Sequence, residues 1–430
     1  MSHLLAGPLT RQLNGCTSIV VTARSVQAPR ASTARPEVRS GRQMNVAGLF
    51  AGVGGLELGL ARAGHRSNLL CEIEPGARAV LAARFDADLP ADVCRLAALP
   101  RNTDLVVAGF PCQDLSQAGR TAGIAGSRSG LVGEVFRFIR KHRTPWVLLE
   151  NVPFMLQLSR GRAMEVIVET IESLGYRWAY RRVNSRAFGL PQRRERVLFL
   201  ASREGDPRDV LFADEFPEPA EPIDAVGKRA CGFYWTEGTR GLGWAVDSVP
   251  TLKGGSGLGI PSPPAIVMPD GRVVTPDIRD AERMQGFEPD WTVPSLAVMR
   301  PGHRWKLVGN AVTVDVAEWL GWRLRRPSKA GRDVESVPLE RVASWPNAAW
   351  SDGKNRFEAR ISRYPASKPC EPLADWLRYP PSPLSAKATN GFLSRAEHAS
   401  LNFPPRFLNV LAQHLRGMNA PTHPARLSAG

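Results

Sequence analysis

"NVAGLFAGVGGLELGLARAG" (residues 45–64) is the stretch that decides the fold. "NVAGLF" (45–50) is an apolar strand. "FAGVGG" (50–55) is a glycine-rich turn, and "GGLELGLARAG" (54–64) is an amphipathic helix stopped by Gly64. Strand, tight turn and helix in that order start a parallel α/β unit. Glycines at 52, 54 and 55 let backbone approach a ligand, and a helix N-terminus favours a polar or anionic group. Such a loop is common to many nucleotide folds, so alone it names no chemistry.

The pattern repeats along the chain. "NLLCEIE" (68–74) is a second strand, followed by a helix over 76–85. "TDLVVAGF" (103–110) and "PWVLLEN" (145–151) are further buried strands, with a helix at 134–143 between them. "GRAMEVIVETIESLG" (161–175) is a long helix ended by Gly175, and "ERVLFLAS" (195–202) closes the block. The predicted class is α/β, a doubly wound, Rossmann-like parallel sheet. In such sheets ligands bind at the carboxyl ends of the strands. Glu72, ending strand two, stands where a carboxylate holds ribose hydroxyls, and Asp92, after a third short strand, is placed to meet an adenine amino group. Together they predict an adenosine-containing cofactor.

Composition sets the outer limits. The 430 residues fit two or three domains at roughly 150 residues each. No apolar run reaches the ~18 residues of a membrane span. Lys and Arg number 56 against 41 acidic residues, a net +15 that favours a polyanionic partner. The six cysteines contain no CxxC pair and no disulfide-like spacing, so a reducing cytoplasm and no metal are expected. Residues 1–43 read as a disordered basic arm, with a start at Met44 or a transit-like segment as alternatives. Residues 44–202 read as the cofactor-binding catalytic domain, 203–275 as an irregular insert, 276–326 as a hinge and return, and 327–430 as an extension of unknown role. Within these, Thr275 is the expected N-cap and Pro276 the first residue of a helix over 275–287, and another helix spans 313–326. Residues 327–382 read as a loose linker. Phe407, Leu408, Leu411 and Leu415 share one face of a helix in 404–415.

Three further stretches ask for chemistry. "GFPCQDLSQAGR" (109–120) presents Cys112 where a buried strand surfaces. "LLENVP" (148–153) ends another strand in Glu150 and Asn151. "GLPQRRERVLFL" (189–200) alternates Gln192, Arg194 and Arg196, and alternation predicts one shared face. A thiol, a carboxyl group and two arginines then converge on the cofactor crevice. An NAD-dependent oxidoreductase explains the glycine loop and leaves these groups without jobs.

In this order the residues resemble the DNA (cytosine-5)-methyltransferases. "GLFAGVGGLELGL" (48–60) resembles their first cofactor motif, "GFPCQDLSQAGR" the nucleophile loop, "ENVP" the proton-donor motif and "QRRER" (192–196) the arginine motif. "RDAERMQGF" (279–287) and "KLVGNAVTVDVAEWLG" (306–321) resemble the later motifs, the last returning to the cofactor site. The resemblance covers 45–201 and 275–322. It implies S-adenosyl-L-methionine as methyl donor, held by Phe50, Ala51, Gly52, Gly54, Gly55, Leu56, Glu72, Ile73, Asp92, Phe110, Pro111, Asn310 and Val312. It implies Cys112 as nucleophile, Glu150 as proton donor, Asn151 as shaper of the loop, Arg196 on the base O2, and Arg194 with Arg196 activating the thiol. Contacts to double-stranded DNA fall to Gln113, Ser116, Arg120, Gln192, Thr251, Leu252 and Lys253. The target nucleotide leaves the duplex, residues after Cys112 form a lid, and 203–275 is a smaller target-recognition domain. A restriction-modification role, a cognate endonuclease as genetic partner, a monomer, and a cytoplasmic, nucleoid-associated location follow from the same resemblance. A tRNA-directed branch and an inactive DNA binder are the alternatives; the recognition insert argues against the first and the complete set of chemical residues against the second.

Overall fold

Alternation along four strands gives the sheet two buried faces. In the computed structural model, which describes residues 41–111, 130–235, 241–255, 262–340 and 344–419, the first strands are β1 (Asn45–Leu49), β2 (Arg66–Cys71), β3 (Leu105–Ala108) and β4 (Trp146–Asn151). They lie parallel in the order β2-β1-β3-β4. Ala47, Leu49, Val106, Ala108, Val147 and Leu149 point to one face. There they meet α3 (Leu131–His142) and α4 (Arg162–Ser173), through residues such as Phe136, Ile139, Ile167 and Ile171. Val46, Leu105, Val107 and Leu148 point to the other, toward α1 (Gly55–Arg62). Each fully buried aliphatic or aromatic side chain contributes about 1.5–3 kcal/mol. Helix α2 (Pro75–Arg84) follows β2 and is capped by the Glu74 side chain, which accepts from the Ala77 N–H at 2.6 Å.

The sheet is mixed, and this corrects the purely parallel expectation. β5 (Arg177–Asn184) and β7 (Glu195–Ser202) run antiparallel to each other, and β7 runs antiparallel to β4. Between them lies β6 (Gln192–Arg193), which pairs with a segment 57 residues later rather than continuing into β7. A short return loop forces the antiparallel pairing, since a parallel neighbour would need a crossover of a dozen residues or more.

Beyond α5 (Arg208–Leu211) the chain builds a second, smaller sheet from β8 (Cys231–Trp235), β9 (Leu242–Val246), β11 (Ala265–Val267) and β12 (Val273–Thr275), while β10 (Val249–Pro250) partners β6. It then forms α6 (Ile278–Met284), α7 (Arg304–Asn310) and α8 (Val314–Arg325). Thr275 therefore ends a strand, and the cap of α6 is Asp277, whose side chain accepts from the Arg279 N–H at 2.9 Å. Helix α8 lies on α1, and contact is close because residue 59 is glycine: a Cβ there would stand 2.4 Å from the Val314 carbonyl oxygen.

Residues 327–382 are not a loose linker. β13 (Ser336–Pro338), β14 (Ala348–Ser351) and β15 (Arg356–Ala359) extend the large sheet to nine strands, in the order β13-β15-β14-β5-β7-β4-β3-β1-β2. After α9 (Leu373–Trp376), β16 (Ser382–Pro383) joins the edge of the small sheet beside β12. Helices α10 (Ala386–Glu397) and α11 (Phe407–Asn419) then cover one face of that sheet. Phe407 sits edge-on to Phe233 and Trp244, with centroids at 4.9 and 5.1 Å. Among the described residues, no helix is long and apolar enough to cross a membrane.

Candidate active site

The carboxyl ends of β1, β2 and β3 open onto one cavity of about 260 Å³. Phe50, Gly52 and Val53 line it from the first loop, Glu72, Ile73 and Glu74 from the second, and Gly109 and Pro111 from the third. Asp92, Leu131, Lys306, Leu307 and Asn310 complete the wall. Gly52 has a φ of +55°, and a Cβ there would meet nothing within 4 Å, so the loop holds open space at this point. Glu72 sets the loop's position: its carboxylate accepts from the Gly52 and Glu74 N–H groups, both at 2.8 Å. Asp92 accepts from the Cys94 N–H at 2.9 Å. Carboxylates from Glu72, Glu74 and Asp92, apolar walls from Phe50, Val53 and Leu131, and an exposed amide at Asn310 make a lining suited to an adenosine-bearing group.

Seven expected cofactor residues line this cavity: Phe50, Gly52, Glu72, Ile73, Asp92, Pro111 and Asn310. The other six are placed behind it. Ala51, Leu56 and Phe110 are buried core residues, and Val312 packs partly buried against the core beneath α1 and α8. Gly54 and Gly55 are required by protein packing. A Cβ on Gly54 would lie 2.4 Å from the Phe85 ring, and one on Gly55 would lie 2.2 Å from the Val312 carbonyl oxygen. Sequence reasoning missed Glu74 and Lys306. Lys306 opens the "KLVGN" motif, a signal that was present; Glu74 was hidden by its capping role and its 2.6 Å contact with His303 Nε2.

The acid stands next to this cavity. Glu150, near the end of β4, is buried, and Arg196 Nε reaches its Oε1 at 2.9 Å from β7. A Cβ on Gly109 would come 3.4 Å from Glu150 Oε2, so only a glycine's thickness separates the carboxyl group from the cofactor cavity. Burial raises the Glu150 pKa above the usual carboxyl value, against the opposing pull of Arg196 and Arg194. Asn151 donates from Nδ2 to the Phe110 carbonyl at 3.0 Å, while its Oδ1 accepts from the Val152 N–H at 2.8 Å. It thus fixes the backbone leading to Pro111. Cys112, Gln113, Ser116 and Arg120, with the lid, lie outside the described residues. Arg196, Val152 and Thr251 open onto a larger cleft of about 660 Å³. The Thr251 hydroxyl donates to the Arg193 carbonyl at 2.9 Å, and Lys253 Nζ lies 4.4 Å from the Tyr234 ring centroid.

Three assignments change. Gln192 and Arg194 are spent on protein groups, while Arg196 reaches Glu150; the chain turns at Arg194, whose N–H bonds the Gln192 carbonyl at 3.1 Å. Arg194 is buried, and its guanidinium donates to three main-chain carbonyls, of Leu252, Gly309 and Ala311. Gln192 is also buried, and its carboxamide bonds Leu252, Met284 and Gln285. Leu252 packs its side chain into the core between the small sheet and α6. All three side chains are buried against protein.

Fold and site define an α/β protein with a cavity at the strand ends and a buried acid beside it. Residues 44–238 match the model of the C-5 cytosine-specific DNA methylases. The chain is 46% identical over 381 residues to Type II methyltransferase M2.BsuMI of Bacillus subtilis (strain 168), an alignment covering 86% of this chain and 97% of that protein. It is 27% identical over 315 residues to Type II methyltransferase M.DsaV of Dactylococcopsis salina, covering 66% and 86%. The chain belongs to the C-5 cytosine-specific DNA methylase family and is a DNA (cytosine-5)-methyltransferase.

Proposed function

We propose that the protein methylates carbon 5 of a cytosine swung out of double-stranded DNA, through a covalent adduct between Cys112 and carbon 6. The observation that carries this reading is the Glu150–Arg196 pair, standing one glycine away from the cofactor cavity. S-adenosyl-L-methionine supplies an electrophilic methyl group on a sulfonium. The residues to hold it are Phe50, Glu72, Asp92, Pro111 and Asn310, whose acceptors and apolar surfaces suit its adenosine.

The protein's own groups do the rest. The Cys112 thiolate adds to carbon 6, and the electron pair displaced from the ring's double bond makes carbon 5 nucleophilic. Glu150, whose pKa is raised by burial, donates its proton to N3 as negative charge develops there. Arg196 holds the carboxyl group in place and faces the O2 carbonyl of the cytosine. After carbon 5 takes the methyl group, a base removes the carbon 5 proton. The C5–C6 double bond re-forms, Cys112 leaves as thiolate, and the N3 proton returns to Glu150. Asn151 fixes the approach of the nucleophile by gripping the Phe110 carbonyl.

Residues 44–202 supply the catalytic half and 203–275 the target-recognition half, supported by the separate sheet of β8, β9, β11 and β12. Thr251 faces the cleft from that side. A modification role alongside a cognate endonuclease, as a monomer in the cytoplasm and on the nucleoid, fits relatives that carry the name Type II methyltransferase.

The test is label transfer from a tritiated methyl donor to plasmid DNA or to tRNA, with bisulfite mapping of the product. Transfer to plasmid at a fixed sequence is expected; transfer to tRNA alone would move the substrate. Cys112→Ala should lose turnover and form no adduct with 5-fluorocytosine DNA. An adduct in that variant would mean another nucleophile.

A further inference from the structure

The arginine motif spends two of its side chains on an internal brace. Gln192 and Arg194 tie two backbone segments together from below. One is the target-side segment 251–254. The other is the turn 309–311, whose Asn310 side chain lines the cofactor cavity. Arg194 donates to Leu252 O at 3.1 Å on the first, and to Gly309 O at 3.2 Å and Ala311 O at 2.6 Å on the second. Gln192 Oε1 accepts from the Leu252 N–H at 3.0 Å. Its Nε2 donates to Gln285 Oε1 at 3.2 Å, and Gln285 in turn donates to Val308 O at 2.9 Å. Leu252 is thus held at both its N–H and its carbonyl by the same motif.

The two segments also touch directly. A Cβ on Gly309 would stand 2.2 Å from the Lys253 carbonyl carbon, and one on Gly254 would stand 2.6 Å from Asn310 Oδ1. No slack exists between them, so neither can shift without pushing the other. A buried guanidinium is favourable only when several acceptors surround it, and its planar fork can serve carbonyls from two segments at once. Lysine offers one ammonium and cannot span the same set.

We propose that Arg194, with Gln192, is a positioning residue that couples cofactor binding to DNA binding. Occupying the cavity against Asn310 sets the place of Thr251–Lys253, and DNA seated on Thr251–Lys253 sets the place of Asn310. Linkage makes the effect reciprocal: each ligand strengthens the other by the same factor. The inference rests on the proposed use of this cavity by S-adenosyl-L-methionine and of the cleft by DNA.

The experiment measures a ratio. The site methylated by the wild-type enzyme is mapped on plasmid DNA, and a duplex oligonucleotide carrying it is titrated with and without S-adenosyl-L-homocysteine. In wild type the DNA Kd should fall at least about fivefold with the cofactor product present, within the usual range of such coupling. In Arg194→Lys the ratio should drop to about one, while binding of S-adenosyl-L-homocysteine without DNA changes less than about threefold. Gly254→Ala perturbs the same contact without altering a buried charge, and should lower the ratio too. A wild-type ratio of one, or a wild-type ratio retained in either folded variant, overturns the coupling. Absence of any methyl transfer by wild type would instead defeat the functional reading.

Discussion

Glu150 carries the sharpest consequence at the scale of single residues. Its pKa is raised, so its acid form survives to higher pH than that of an ordinary glutamate. If that proton goes to N3, methyl transfer should fall as pH rises through the raised pKa. Glu150→Gln should lower the transfer rate by about 10²–10⁴-fold and remove that pH limb. Single-turnover rates between pH 5 and 9 give the answer, and an unchanged limb would assign it to another group. This acid, Asn151 and Arg196 were legible because their motif types coincide with strand ends. Arg194 and Gln192 were misread for a physical reason. The carbonyls and amides that bury them, of Leu252, Met284, Gly309 and Ala311, come from 58 or more residues away and leave no local pattern. Gly54 and Gly55 were legible as glycines but not as packing sites, since Phe85 and the Val312 carbonyl come from elsewhere in the chain.

Helix α1 shows what its element carries besides the glycine loop. Glu57 lies on its buried side under β1, where a Cβ on Gly48 would be 2.3 Å from Glu57 Oε1. Burial pushes its pKa up to about 8. The sign follows directly. The folded state favours the protonated form, so this group costs no stability below the ordinary pKa near 4.5 and costs progressively more as pH rises toward 8. Glu57→Gln should therefore gain on wild type by about 2–3 kcal/mol between pH 6 and pH 9, at 1.36 kcal/mol per pKa unit. Thermal melts at the two pH values measure it; parallel pH profiles would refute it. Buried strands and long helices were readable because their periods are local. β13, β14 and β15 were not, because three or four residues show no period and the pairing that ties them to the sheet, β14 with β5, is distant in sequence.

At the scale of the whole molecule, the chain's last described helix belongs to the small sheet. Phe407 is fully buried against Phe233, Trp244 and Phe392. Phe407→Ala should cost about 3–5 kcal/mol. The loss should appear as an early transition of the small sheet in calorimetry, with S-adenosyl-L-homocysteine binding retained below it; a single unshifted transition would contradict this. The large sheet has its own long-range debt. β5 pairs with β7 on one side and with β14 on the other, and Arg182 N–H bonds the Asn347 carbonyl at 2.8 Å. A ribosome adding ~5–20 residues per second delivers β14 on the order of ten seconds after β5. During that interval the nascent chain carries an open strand edge, the usual template for association with other chains. Arg177, Arg181 and Arg182 on β5 place charge along that edge while it waits. Charge on an open strand edge is expected to discourage such pairing until β14 arrives.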